Sequence, residues 1–247
     1  MKTYSIKYTV LLVILSIFAC GLITAKSIKD QSEEQLVKAA RYEAQGEYEE
    51  AIQIYNSEIK NAPKSRHLYF KRGVARLESG RSQEAIKDFD KAIEIFPYYG
   101  EAFNKRALAK WDLNDFTGAL KDNNKAIELL PEKAESYYNR GLTRCKLSDN
   151  AGALNDFNYA LKLDPEYAFV YLSRGYLKLQ MQDLSGAEAD IDQSIALDPY
   201  NSIAYKYKSL VLTKRGDVIK AQKYMKKAVK LGYRDQYNDE VSLLNAA

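Results

Sequence analysis

Small, aromatic and aliphatic residues return at fixed places every 34 residues along most of this chain. The prolines mark the beat, at Pro63, Pro97, Pro131, Pro165 and Pro199. Counting proline as position 32 divides residues 32–235 into six repeats: 32–65, 66–99, 100–133, 134–167, 168–201 and 202–235. Position 20 is Ala in all of them (Ala51, Ala85, Ala119, Ala153, Ala187 and Ala221). Position 8 is always small: Ala39, Gly73, Ala107, Gly141, Gly175 and Ser209. Position 4 is aromatic in five repeats, as Tyr69, Phe103, Tyr137, Tyr171 and Tyr205, and position 28 is branched aliphatic from Ile59 to Val229. A period of this length signals stacked copies of one supersecondary unit.

Each repeat reads as two helices, A and B, with a short turn near Gly46, Gly80, Asn114, Ser148, Gln182 and Gly216. Positions 8 and 20 must be small for the two helices to approach closely, because a large side chain there would hold the axes apart and leave a void. The aromatic at position 4 supplies apolar area that a thin helical pair otherwise lacks. Proline stops helix B and biases the residue before it towards extended geometry. A single pair cannot bury its apolar face alone, so stability comes from stacking on neighbours.

The pattern of small, aromatic and proline positions over residues 32–235 resembles the tetratricopeptide repeat (TPR). The resemblance implies an all-α fold: an α-solenoid of six TPR helix-turn-helix units in a right-handed superhelix, with helix A lining a concave groove. The first repeat lacks the position-4 aromatic (Gln35) and the sixth lacks the proline (Tyr233), as suits repeats that meet water or a cap. Residues 236–247, QYNDEVSLLNAA, are expected to cap the last repeat through Val241, Leu243 and Leu244.

One polar pair varies together within the chain. Where position 7 is Arg (Arg72, Arg106, Arg140, Arg174), position 23 is Asp (Asp88, Asp122, Asp156, Asp190). Where position 7 is Lys (Lys38, Lys208), position 23 is Ile54 or Tyr224. This correlation predicts an ion pair between helix A and helix B or the adjoining repeat. The "YYNRG" stretch at 137–141 is therefore architecture rather than a nucleic-acid signature.

Composition removes several functional classes. An apolar fraction of 46% excludes a mostly disordered chain, and one His with two Cys leaves too few ligands for a zinc site of the usual kind. A nucleophilic site with a histidine base would have to use His67, which reads as a lone exposed histidine beside a repeat boundary. A Gly-rich phosphate loop is missing, and the carboxylates fall at repeat positions rather than forming one distinctive pair. The expectation is a non-enzyme with no catalytic residue, no metal and no cofactor.

The N-terminus reads as targeting rather than fold. Lys2 and Lys7 precede the uncharged apolar run TVLLVILSIFACGLITA at 9–25. Three outcomes are open. The stretch IFACG resembles a bacterial lipoprotein signal, cleaved before Cys20 and lipidated on it; this reading comes first. An uncleaved membrane anchor comes second, and cleavage after Ala25 with release comes third. Residues 1–25 are thus a signal sequence or membrane anchor and 26–31 a linker. The chain is expected to be membrane-associated or exported, in the bacterial envelope under the first reading. In every case Cys145 has no disulfide partner and reads as a packed or groove-edge thiol.

The resemblance places the partner groove at positions 2, 5, 9 and 12 of helix A. In repeats 2 to 5 these are His67, Phe70, Val74 and Leu77; Glu101, Asn104, Leu108 and Trp111; Glu135, Tyr138, Leu142 and Cys145; and Phe169, Leu172, Tyr176 and Leu179. From these, Phe70, Asn104, Trp111, Tyr138, Phe169 and Tyr176 are the candidate partner-binding residues. Aromatic anchors of this kind suit a protein or peptide segment, although the same residues could simply fill the inside of a tight superhelix. The carboxylate clamp of TPR co-chaperones that hold heat-shock proteins is not present: its positions read Asn104, Leu108, Asn139, Phe169 and Ser173, without a cation.

Charge changes along the array. The first repeat has seven Glu against four Lys or Arg, net −3, and the sixth has ten Lys or Arg against two Asp, net +8. Lys220, Lys223, Lys227 and Lys230 form a stripe on the last helix B, which is a solvated face or a contact for an acidic partner, anionic headgroups or the acidic first repeat. With only Tyr224 interleaved, the stripe does not call for nucleic acid. The sequence thus predicts a membrane-held protein-interaction scaffold, with self-assembly through oppositely charged ends as the alternative.

Overall fold

The computed structural model describes residues 31–234; the expected leader at 1–25, Cys20 and the cap segment at 236–247 lie outside them. Every regular element among the described residues is helical. Helix α1 covers 31–45, followed by α2 (Tyr48–Asn61), α3 (Arg66–Glu78), α4 (Ser82–Ile95), α5 (Gly100–Asp112), α6 (Phe116–Leu129), α7 (Ala134–Lys146), α8 (Asn150–Leu163), α9 (Ala168–Gln180), α10 (Leu184–Leu197), α11 (Ser202–Lys214) and α12 (Val218–Lys230). Odd-numbered helices are the A helices and even-numbered ones the B helices, in an all-α TPR solenoid. The chain divides into two compact bodies, within residues 1–102 and 103–247.

The turn from A to B is built the same way six times. Position 15 has positive φ in every repeat, from Asn114 and Ser148 at 61° and Gln182 at 65° to Gly216 at 82°. This left-handed residue closes a Schellman motif. In repeat 3, Asn114 N–H donates to the Trp111 carbonyl and Asp115 N–H to the Lys110 carbonyl, both at 2.9 Å. In repeats 3 to 6 the next residue then caps helix B. Asp115, Asp149 and Asp183 accept from the backbone N–H of Gly118, Gly152 and Gly186 at 2.9 Å, and Asp217 accepts from that of Lys220 at 3.2 Å.

The small positions sit where the helices touch. All six position-20 alanines are fully buried, at 0% exposure. A Cβ placed on Gly73 would stand 2.7 Å from Phe89 Cε1, and one on Gly141 would stand 2.5 Å from Phe157 Cε1. Position 24 therefore fills the space that glycine at position 8 leaves open. Ala107 and Asn123 occupy the same two places in repeat 3, so that repeat trades the ring for an amide.

The four expected ion pairs form inside repeats 2 to 5, and each is larger than a pair. Arg140 donates through Nε to Asp156 Oδ2 at 2.9 Å and through Nη2 to Oδ1 at 2.7 Å. Arg144, one turn later, donates to the same Oδ2 at 2.8 Å. Arg76, Lys110 and Lys178 repeat the second contact on Asp88, Asp122 and Asp190, each from position 11. The remaining Arg140 nitrogen, Nη1, reaches back one repeat to Asn124 Oδ1 at 2.9 Å. Arg72 and Arg174 do the same to Asn56 and Asn158. Each guanidinium also lies over the position-4 ring of its own helix, at 5.6 Å for Arg140 on Tyr137. In these repeats the arginine joins A to B, and in repeats 2, 4 and 5 its third nitrogen joins the repeat to the one before. In repeat 6 Lys208 keeps the second function, bonding back to Glu188 at 2.8 Å and Asp192 at 2.6 Å, and meets its own helix B through the Tyr224 ring, whose centroid is 5.8 Å from Nζ.

Candidate functional site

Successive residues on a helix turn by 100°, so positions 2 and 9 share one line and positions 5 and 12 another, about 60° round. The structure separates the two lines. Phe169 and Tyr176, at positions 2 and 9 of α9, are 54% and 36% exposed, and Leu108 of α5 is 36% exposed. Leu77, Leu172 and Leu179, at positions 5 or 12, are buried at 7% or less. The four positions therefore contribute at different depths: Leu142, Phe169 and Tyr176 from positions 2 and 9 and Trp111, Tyr138, Cys145 and Leu172 from positions 5 and 12 line one groove, while Leu179 at position 12 turns into the core.

The expectation for Asn104 is corrected. It is 2% exposed, and its Nδ2 donates to Ser136 Oγ at 2.7 Å, which ties α5 to α7. Its Nδ2 thus serves packing between repeats, and its Oδ1 is buried without a hydrogen-bond partner among the described residues. Phe70 lies in the N-terminal body, half-buried against Tyr99 (ring centroids 5.0 Å apart) and Phe89 (5.9 Å). His67 is exposed there, edge-on to Tyr99, whose hydroxyl is 3.2 Å from its Nδ1.

The other four candidates come together in the C-terminal body. Trp111, Tyr138, Phe169 and Tyr176 line one groove of about 530 Å³ formed by α5, α7, α9 and α11. Tyr138 covers part of the floor. Its ring lies 5.3 Å from Tyr167, and its hydroxyl is within 3.4 Å of Ser173 Oγ. Burial pushes the Tyr138 phenol up, so it stays protonated and can donate. Cys145 shares this lining, and burial pushes its thiol up to about 11, which keeps it an unreactive packing group at neutral pH.

Tyr207 and Lys146 are among the groove residues that escaped the sequence reading. Tyr207 stacks on Tyr176 with ring centroids 4.5 Å apart and planes 16° from parallel, and Lys146 Nζ lies 5.3 Å over the Trp111 ring. Tyr207 belongs to repeat 6, at position 6, next to the position 5 used for the other repeats. Lys146 follows Cys145 on α7. The site as a whole is an apolar, aromatic trough with hydroxyls and one ammonium at its edges. Such a surface can bind a chain through shape and apolar contact, with a few polar groups to set orientation.

The model of the family described as tetratricopeptide repeat matches residues 36–100 and 104–168, more than half of the chain. The chain belongs to the tetratricopeptide repeat family. No curated protein sequence matches it. Among solved structures it is similar to a TPR protein from Parabacteroides merdae, at 20% identity with a TM-score of 0.70, over 87% of this chain and 84% of that one. It is also similar to a thermophilic TPR protein of Thermus thermophilus, at 19% identity and TM-score 0.63, over 73% and 99% of the two chains. A third is YrrB, described as a TPR protein with an unusual peptide-binding site: 17% identity and TM-score 0.58, over 78% and 96%. At these identities the likeness concerns the fold.

Proposed function

We propose that this protein is a non-catalytic scaffold that binds an extended or helical segment of a partner protein in the groove of its C-terminal body. The observation that carries the reading is the exposure of Phe169 and Tyr176 beside Trp111 on one concave surface of about 530 Å³. Large aromatics held rigidly at a concave surface are the usual anchors of protein recognition. Membership of a family of interaction repeats supports the class, as does the description of YrrB as peptide-binding. In the test, a Phe169→Asp/Tyr176→Asp double variant should lose the proteins that co-purify with the wild type while keeping its helical content and melting temperature. An unchanged set of co-purifying proteins overturns the groove as the binding surface.

The scaffold works at a membrane in this reading, through the apolar run at 9–25 with lipid on Cys20. No helix among the described residues is long and apolar enough to cross a membrane, so the attachment rests on that segment. Metabolic labelling with an alkyne fatty acid tests it. Label on the wild type and none on Cys20→Ser supports the lipoprotein, and equal labelling of the two contradicts it.

A second reading has one observation of its own. On α12, Ile219 is 84% and Val229 52% exposed among Lys223, Lys226 and Lys230, on the repeat of net charge +8. That face could take the acidic first repeat of another copy. Sedimentation at low and high salt decides: assembly at low salt that dissolves at high salt favours this reading, and a salt-independent monomer removes it.

A further inference from the structure

Repeat 3 is the one repeat whose position 24 is polar. The other five carry Tyr55, Phe89, Phe157, Ile191 and Met225 there, and repeat 3 carries Asn123. The missing ring leaves a pocket of about 80 Å³ lined by Ala107, Leu108, Trp111, Asn123, Asn139, Leu142 and Thr143. Trp111 and Leu142 line this pocket and the main groove alike, so the two adjoin.

The hydrogen bonds at the pocket fix the orientation of the Asn123 amide. Thr143 Oγ1 donates its only proton to the Asn139 carbonyl at 2.8 Å. It can then only accept from Asn123, which places Nδ2 at 3.0 Å and turns Oδ1 the other way. Asn123 is 1% exposed, and its Oδ1 has no hydrogen-bond partner among the described residues. The Trp111 Nε1–H is likewise buried without a partner among the described residues. Two orphaned polar atoms, one acceptor and one donor, thus belong to residues that wall the same small apolar pocket. Each such group costs about 1–3 kcal/mol when left unmade, and in native proteins such groups usually have a partner.

We infer that this pocket is a specificity subsite of the groove, which takes a Ser or Thr side chain of the bound segment. The inference rests on the groove reading above. A hydroxyl is both donor and acceptor on one atom, so it suits a pocket whose walls include one acceptor and one donor without partners. A volume equal to roughly two or three liquid waters admits only a short side chain. The methyl of Thr has Ala107, Leu108 and Leu142 to pack against. An aliphatic side chain of the same shape would fill the space and leave both polar atoms unpaired.

The probe is a random dodecapeptide library displayed on phage and selected on the full-length protein in detergent micelles. Synthetic peptides follow that differ only by Thr→Val at the enriched position. The chain has a single Trp, so its indole N–H gives one resonance and reports the pocket directly. The expected result is enrichment of Ser or Thr at one fixed position and affinity about tenfold weaker for the Val peptide. At saturation the indole N–H resonance should move further downfield with the Thr peptide, whose hydroxyl accepts from it, than with the Val peptide. Two variants close the pocket by different routes: Asn123→Leu, and Ala107→Gly/Asn123→Phe, which restores the pairing of repeats 2 and 4. On both, the Thr and Val peptides should bind within twofold of each other. Peptides that need Phe169 and Tyr176 but show no Ser or Thr preference, or prefer Asn, overturn the subsite and leave the groove intact. Selection of no peptide that depends on Phe169 and Tyr176 overturns both.

Discussion

Arg140 holds Asp156 by two parallel hydrogen bonds, 2.9 Å from Nε and 2.7 Å from Nη2, and Asp156 is only 3% exposed. A carboxylate so deep is held there by its cations, since an unpaired buried charge is costly. Arg140→Leu is expected to cost about 2 kcal/mol or more, with Arg144 left as the remaining partner. In an Asp156→Leu background the same change should cost at least about 1 kcal/mol less, because no pair remains to break. Urea unfolding of the four proteins checks this, and strictly additive costs would show that the contact contributes nothing specific.

The second prediction concerns pH. Lys208 keeps the repeat-to-repeat contact with Glu188 and Asp192 and is 5% exposed. The hydrogen bond from Lys208 is the main cause that holds the Glu188 carboxyl below its ordinary 4.5. A lowered carboxylate contributes its stability above the unfolded value and loses it as pH falls through the folded one. For Lys208, burial pulls the ammonium down, but the bonds to Asp192 and Glu188 outweigh it and lift the group above 10.5. That contribution is complete below the unfolded value and is lost as pH rises through the folded one. The stability gap between wild type and Lys208→Met should therefore be flat between about pH 6 and 9 and shrink towards both extremes. A gap that persists undiminished at about pH 3 contradicts the assignment.

Ser148 and Gln182 adopt φ of 61° and 65°, the region that side chains other than glycine resist. Ser148→Gly and Gln182→Gly should each raise stability by about 1 kcal/mol, since Gly46, Gly80 and Gly216 already serve the same turn in other repeats. Denaturant midpoints measure this, and a loss in both variants would mean that their side chains contribute something the geometry does not reveal.

Gly141 and Gly175 occupy the same repeat position with unequal room. A Cβ at Gly141 would meet Phe157 Cε1 at 2.5 Å, whereas at Gly175 the nearest atom is Ile191 Cγ1 at 3.0 Å. Gly141→Ala should cost about 1–3 kcal/mol as overpacking, and Gly175→Ala clearly less. Phe157→Leu should recover part of the Gly141→Ala loss. Equal effects at the two glycines would contradict the packing account.

The repeat was legible because its constraints are local: proline ends helix B, alanine meets a facing helix, and each recurs in phase. The Arg–Asp pair was legible as a correlation between positions 7 and 23. The same test would have found position 11, basic in repeats 2 to 5 (Arg76, Lys110, Arg144, Lys178) but Tyr42 and Leu212 in the terminal repeats. The groove was less legible, because a spacing of three or four residues defines a face wider than the accessible strip. Asn104 and Leu179 fall on the inner side of that face and Phe169 on the outer. Asn123 stands out in the sequence alignment of the repeats, yet its meaning depends on Trp111 and Thr143 from neighbouring helices.

The most direct measurement is photo-crosslinking in native membranes from a photoreactive amino acid placed at position 111, with a second placed at position 223 on the exposed face of α12. The groove account predicts a defined protein adduct from 111, absent from the Phe169→Asp/Tyr176→Asp variant, and none of that identity from 223. An adduct from 223 with none from 111 would contradict it.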